Sequence, residues 1–391
     1  MQRRSGGSAA EGVPLLLSVD NATPWLLERA LIGVADIVDG RLAVVDAARR
    51  NRNLRVTREH GRGYLIKQPA EGDRGHASTV EIEAMFYRFC SRDAGAAALR
   101  PFVPAFVDYV EPGILVVELL DRALPLSTWY APGVEAELRT CAAAQLGDAL
   151  ACLHTTVSPT NLQRQMPATF CGDAPWVLSL HRPRPAVLER ISAANVQTIK
   201  ILQGHRAAAA ALDRLRLSWS GTAVVHNDVK GDNVLVWPVD GVPPCAVRLV
   251  DWELVQCGDP AWDVGGVFTD MWMHWISVVP FSAGRKPEDV LDSANQQLSS
   301  FFPAARAFWS AYRRRALQDR DEWAPFLQRA VQMAAARLVQ TAYELAQEAA
   351  TLPNASVAML QVAVNVLDDP DTAQIHLLGI PPSLTLRALG R

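Results

Sequence analysis

Between residues 225 and 252 the chain reads VHNDVKGDNVLVW and, after a turn, AVRLVDW. Asp228, Lys230, Asn233 and Asp251 thus bring two carboxylates, an ammonium and an amide into one short stretch. Moving a phosphoryl group from ATP needs such a set: a carboxylate beside the accepting hydroxyl and two oxygen ligands for Mg2+. The elements that must position these groups are legible in the same stretch. Asn233 to Trp237 reads as one strand, the region of Asp240 and Gly241 as a turn, and Ala246 to Trp252 as a second strand. In an antiparallel pair the start of the first strand lies beside the end of the second, so Asn233 and Asp251 fall at a shared end where both can ligate one Mg2+ through oxygen. Asp228 enters the same end and would accept or orient the proton of the hydroxyl. Lys230 would direct a positive charge at the transferring phosphate. His226 reads as a structural residue that fixes the loop through hydrogen bonds.

Composition sets the outer bounds. A chain of 391 residues is long enough for two or three domains, or for one large two-lobed domain. Hydrophobic content of 49% with 20% charged residues is ordinary for a globular protein. The formal charge of −3 gives no overall basic field, so nucleic acid is not an expected partner. The six cysteines show no CxxC pairing, and scattered cysteines in a chain this long read as reduced, which suggests a cytoplasmic location. No run of about 18 uncharged apolar residues occurs, so no membrane partner is expected. Residues 1–14 read as a disordered tail. Arginine outnumbers lysine 34 to 4, so each lysine retained against that bias is a candidate for a task that needs an ammonium.

Along the chain, residues 23–34 have helical periodicity, and short strand-like runs follow at RLAVVDA, NLRVTRE and GYLIK. STVEIEAMFYRFC places Ile82, Met85, Phe86 and Phe89 on one helical face. AFVDYVE and GILVVELL are two further strands. Beyond Glu118 the pattern turns helical, with long helices expected over 133–155, 186–217 and most of 287–367. The expected organisation is a nucleotide-binding lobe over 15–120 and a catalytic and acceptor-binding lobe over 121–380, with the boundary near 119–126.

HNDVKGDNVLV, followed by LVDWE and GDPAWDVG, resembles the aminoglycoside phosphotransferase and choline kinase branch of the protein-kinase-like superfamily. The resemblance implies an α+β bilobal protein-kinase-like fold, with a small antiparallel-sheet lobe carrying one inserted helix and a larger, mainly helical lobe. It implies ATP and Mg2+ as cofactors, Asp228 as the catalytic carboxylate, Asn233 and Asp251 as metal ligands, and Asp263 as a brace beneath the catalytic loop. The family pattern also calls for a strand lysine on the nucleotide phosphates and a helix glutamate to hold it. Lys67 fits the first role and is the only lysine in the first 199 residues. Glu83 is preferred for the second over Glu81, which lies about 200° away on the helix. Glu118 would open the hinge where adenine binds. Between the first two strands the loop has no glycine, and Arg50, Asn51, Arg52 and Asn53 are candidates to meet phosphate through side chains, the alternative being a solvated basic turn.

The acceptor implied by the resemblance is a hydroxyl on a small molecule such as an aminoglycoside, an amino sugar or a choline-like alcohol. A second reading is Ser or Thr of a precursor peptide in ribosomal peptide natural-product biosynthesis, with a partner lyase. Lys230, RRNRN and PWVLSLHRPRPAVLERIS (175–192) resemble that subgroup. A third reading is a catalytically silent nucleotide-binding scaffold. Asp259, Asp263, Asp270, Glu288 and Asp289 suggest an acidic surface for a cationic acceptor. The tryptophans after the motif, Trp272 and Trp275 among them, read mainly as core.

Overall fold

The computed structural model describes residues 15–47, 52–69, 79–111, 113–131, 133–166, 172–185, 191–279 and 287–384. These divide into two compact units. The first takes in the chain up to Ala84 together with Ala105–Asp121, and the second takes in Met85–Pro104 and the chain from Arg122 onward.

The first unit opens with α1 (Val19–Glu28) and α2 (Val34–Val38). The single helix expected over 23–34 starts earlier and stops sooner. Ala30 takes a left-handed conformation (φ 54°), the Leu31 N–H bonds back to the Leu26 carbonyl, and Ile32 is folded into the core. Five strands follow: β1 (Leu42–Asp46), β2 (Arg52–Arg58), β3 (Tyr64–Gln68), β4 (Phe106–Val110) and β5 (Ile114–Glu118). They form one antiparallel sheet in the order β1-β2-β3-β5-β4.

Because side chains alternate across a strand, this register sorts the sheet into two faces. Leu54, Val56, Tyr64, Ile66, Ile114 and Val116 lie in one buried cluster with Leu17, Ala22, Trp25 and Leu26. Gln68 closes that face by accepting from the Leu17 N–H at 2.8 Å and donating to its carbonyl at 3.1 Å. Lys67 belongs to the opposite face. Helix α3 (Thr79–Arg92) carries Glu83, and the boundary between the two units falls within it.

The second unit is mainly helical. Among the described residues its α-helices are α4 (Ala136–Thr156), α5 (Pro159–Gln165), α6 (Ala193–Gly204), α7 (Arg206–Leu217), α8 (Pro260–Val278), α9 (Pro287–Ser299), α10 (Phe302–Ala316), α11 (Trp323–Leu345), α12 (Asn354–Asp368) and α13 (Pro370–Leu378). Two sites of glycine permit unusually close helix packing. A Cβ on Gly147 of α4 would lie 2.5 Å from the Phe308 carbonyl of α10, and one on Gly265 of α8 would lie 2.8 Å from the Ala334 nitrogen of α11. Any side chain there would push the helices apart.

The strands of this unit are short: β6 (Leu124–Pro125), β7 (Ala223–Val225), β8 (Val234–Pro238), β9 (Cys245–Leu249) and β10 (Gln256–Gly258). The hairpin is β8 with β9, registered Val234 to Leu249, with β6 on its outer side. The small β7–β10 pair, absent from the sequence expectation, ties the chain just before His226 to the chain after Asp251.

Candidate active site

The stretch from His226 to Asn233 is held on several sides by named groups. Asp263, fully buried near the start of α8, accepts from the His226 N–H at 2.7 Å and from the Asn227 N–H at 2.9 Å. His154 Nε2–H donates to the same carboxylate at 3.2 Å, and Tyr312 donates to His154 Nδ1 at 2.9 Å. Burial alone would raise the Asp263 pKa. The His154 hydrogen bond, the electrostatic influence of the His154 and His226 rings and the His226 N–H outweigh it and hold the carboxyl below its ordinary value.

His226 is buried and links two pieces of backbone. Its Nε2–H donates to the Val250 carbonyl at 2.9 Å, and its Nδ1 accepts from the Asp228 N–H at 3.3 Å, so one tautomer serves both bonds. Its ring packs against Trp252, with centroids 4.4 Å apart, and Trp252 stacks on Phe86 at 4.2 Å.

Asp228 is the hub. Its Oδ2 accepts from Lys230 Nζ at 2.6 Å and from Asn233 Nδ2 at 2.9 Å. Asn233 Nδ2 also donates to the Asp228 backbone carbonyl at 2.9 Å. With the amide nitrogen so used, the amide oxygen of Asn233 is the atom left for a cation.

The Val250 N–H donates to the Asn233 carbonyl at 3.0 Å, so the backbone places Asp251 one residue past the point where the two strand ends meet. The expected second strand stops short of Asp251. That residue has φ 68° and ψ 58°, a left-handed conformation that terminates the extended run and redirects the chain into a 3-10 turn at Trp252–Leu254. Asn227 at φ 71° is a second such residue. Non-glycine residues held in this region cost of order 1–3 kcal/mol and concentrate at functional sites.

No group of three His, Cys, Asp or Glu side chains able to hold a metal occurs among the described residues. The oxygen-bearing side chains that the hairpin end carries are the Asn233 amide and the Asp251 carboxylate. These hard oxygens fit Mg2+, which takes few protein ligands when phosphates and water fill its other positions.

In the first unit, Lys67 Nζ lies 2.9 and 2.8 Å from the two carboxylate oxygens of Glu83. Both side chains are buried, with Glu83 at 0% and Lys67 at 7% exposure. Glu118 ends β5; its N–H donates to the Ala105 carbonyl at 2.9 Å and its carboxylate accepts from the Ala105 N–H at 3.2 Å.

Arg50 and Asn51 lie outside the described residues. Arg52 and Asn53 already belong to β2 rather than to a loop. Asn53 stands opposite Lys67 in the register and shares its face, whereas Arg52 stands opposite Gln68 and shares the other face.

The expected acidic acceptor surface is different in fact. Asp263 is spent on the His226 and Asn227 N–H groups, and Asp259 is fully buried, caps α8 through the Ala261 N–H at 2.9 Å and faces Arg329 at 3.1 Å. Asp270 remains close to the loop, where its Oδ1 accepts from the Gly231 N–H at 2.8 Å. Burial pushes its pKa up, partly offset by that N–H. Beside it, Ser127 donates to Asp232 at 2.6 Å. Trp272 is a core residue and Trp275 is half-buried, and their indole N–H groups donate to the Leu377 and Ala294 carbonyls.

Sequence reasoning missed Arg337. This α11 residue donates to the Asn227 carbonyl at 3.2 Å and to the Val229 carbonyl at 3.3 Å, faces Asp228 Oδ1 at 3.8 Å, and lies over the Trp262 ring at 4.8 Å. The available signal was a lone arginine inside the apolar run AVQMAAARLVQTAY, because a charge in such a setting is retained only when paired.

The model of the phosphotransferase enzyme family matches residues 42–286, which include Lys67, Glu83 and the whole stretch from His226 to Asn233. The chain belongs to that family. It is 50% identical over 58 residues to the viomycin phosphotransferase of Streptomyces vinaceus, a match that spans 15% of the chain and only 19% of that relative. Among solved structures it is similar to the choline kinase of Cryptosporidium parvum, at 12% identity and a TM-score of 0.49, covering 91% of this chain and 98% of the other. A macrolide 2'-phosphotransferase from Brachybacterium faecium aligns at 15% identity and a TM-score of 0.42, covering 88% and 99%. No helix of the family member is long and apolar enough, among the described residues, to cross a membrane.

Proposed function

We propose that this protein transfers the γ-phosphoryl group of ATP, with Mg2+, to a hydroxyl of a small molecule. The observation that carries the reading is Asp228. Its carboxylate is fixed by Lys230 and Asn233 through Oδ2, on a loop pinned by Asp263, in a chain of the phosphotransferase family.

Each residue then has a task. Asp228 orients the acceptor hydroxyl and takes its proton as the phosphoryl group moves. Lys230 places an ammonium beside the transferring oxygens. Asn233 and Asp251 would hold Mg2+, which when bound neutralises charge on the nucleotide phosphates. Lys67, kept in place by Glu83, binds phosphate oxygens, and Asn53 on the same sheet face is available to assist. His226 and Asp263 maintain the shape of the loop. Glu118, whose two hydrogen bonds to Ala105 fix the end of β5, would open the segment where adenine binds.

The small-molecule acceptor is favoured by the relative named for viomycin. Asp270 and Asp232, next to Gly231, would favour an acceptor that carries an amine near its hydroxyl.

The test is transfer of label from γ-labelled ATP with Mg2+ to a panel of aminoglycosides, amino sugars, choline-like alcohols and Ser/Thr peptides. Label on a hydroxyl of a small molecule supports the reading. Label confined to peptides moves the acceptor class, and nucleotide binding without transfer to any acceptor refutes the proposal.

A further inference from the structure

Arg337 is not part of the sequence motif, yet its guanidinium addresses three successive residues of the catalytic loop. Its two hydrogen bonds go to the carbonyls on either side of Asp228, those of Asn227 and Val229. Its charge faces Asp228 Oδ1 at 3.8 Å, too far for a hydrogen bond. Oδ2 is occupied by Lys230 and Asn233. The two carboxylate oxygens therefore differ: Oδ2 is saturated, and Oδ1 sits near a cation while keeping its capacity to accept a hydroxyl.

The packing around Arg337 is built for this approach. A Cβ on Gly266 would come within 2.7 Å of the Val229 carbonyl and 3.4 Å of Arg337 Cζ, so only glycine lets α8, the loop and the guanidinium meet. Thr269 of α8 donates to the Ala334 carbonyl of α11 at 3.0 Å, which fixes α11 one turn before Arg337. Trp262 lies under the guanidinium and donates to the same Asn227 carbonyl at 3.2 Å. A planar fork meets the two carbonyls with two nitrogens held at a fixed separation, which the single nitrogen of a lysine ammonium does not reproduce.

Resting on the phosphoryl-transfer reading, we propose that Arg337 is a positioning residue that presents Asp228 Oδ1, and not Oδ2, to the acceptor hydroxyl. It acts through Asp228 and touches neither nucleotide nor acceptor. Arg337→Lys and Arg337→Met are expected to lower kcat about 10²-fold. KM for both substrates should stay within about threefold, because ground-state binding is untouched. Added guanidinium should restore part of the activity of Arg337→Ala, and methylammonium should not. Arg337→Lys keeps the buried charge and decides the matter if the Met and Ala variants fail to fold.

A folded Arg337→Lys enzyme with wild-type kcat, or a loss confined to KM, overturns the proposal. Amide hydrogen exchange over residues 227–230 separates its failure from that of the proposed function. If the wild type transfers phosphate to no acceptor, faster exchange in folded Arg337→Lys still supports the positioning role, and unchanged exchange overturns it.

Discussion

Asn233 Nδ2 donates to both the backbone carbonyl and the Oδ2 of Asp228, each at 2.9 Å. The residue proposed as a metal ligand is therefore also a splint for the residue proposed as the base. Asn233→Asp replaces the donor with a second carboxylate oxygen facing Oδ2. The expected result is a loss of phosphoryl transfer of at least about 10²-fold, with a higher Mg2+ concentration needed for half-maximal activity. Magnesium titration of the variant checks this, and an unchanged Mg2+ requirement contradicts it.

Lys67 and Glu83 form a buried pair in the first unit. Removing one partner strands the other charge, at a cost of about 3–5 kcal/mol, whereas replacing both with apolar groups costs far less. Denaturant unfolding of Lys67→Met, Glu83→Leu and the double variant should show the double variant to be less destabilised than the sum of the singles. Additive losses would mean that the pair is not coupled. Nucleotide binding should weaken in every variant that lacks Lys67.

Much of this was legible in the sequence because it is local. The spacing from Asp228 to Asn233 and the hairpin that brings Asn233 to Val250 are set within some thirty residues by strand periodicity and a turn. The alternation of β2 and β3 likewise placed Lys67 on a strand. What could not be read is long-range. Arg337 lies 110 residues from Asn227, and nothing in a one-dimensional pattern says which carbonyls an arginine on an apolar helix will meet. Asp259 reads as a surface acid because composition does not reveal that the start of α8 turns it inward. The left-handed backbone at Asp251 was hidden for a related reason: the neighbouring His226–Val250 bond, not the residue's own propensity, helps hold the chain there.

Asp263 should shape acid stability. Its folded-state pKa is depressed, so its contribution is present above the ordinary carboxylate range and is lost as pH falls through the depressed value. Asp263→Ala leaves the His226 and Asn227 N–H groups unpaired, at about 1–3 kcal/mol for each. Its unfolding midpoint should fall at neutral pH and converge toward the wild type in acid. A constant difference at all pH values would contradict this assignment.

Asp270 has the opposite sign. Burial raises its pKa in the fold, so ionisation opposes folding, fully above the folded pKa and not at all below the unfolded value of 3.8. Asp270→Asn keeps an oxygen for the Gly231 N–H and removes the charge. It should raise the thermal midpoint at neutral pH, with the gain vanishing as pH drops below the unfolded pKa. A lower midpoint at neutral pH would show that the charge is compensated by its surroundings.

The most direct test is phosphoryl transfer by Asp228→Asn at saturating ATP, Mg2+ and acceptor, with nucleotide binding measured on the same sample. Loss of the base should lower kcat by about 10²–10⁴-fold while nucleotide binding persists. Transfer at the wild-type rate in that variant would contradict the role given to Asp228 and with it the account of the site.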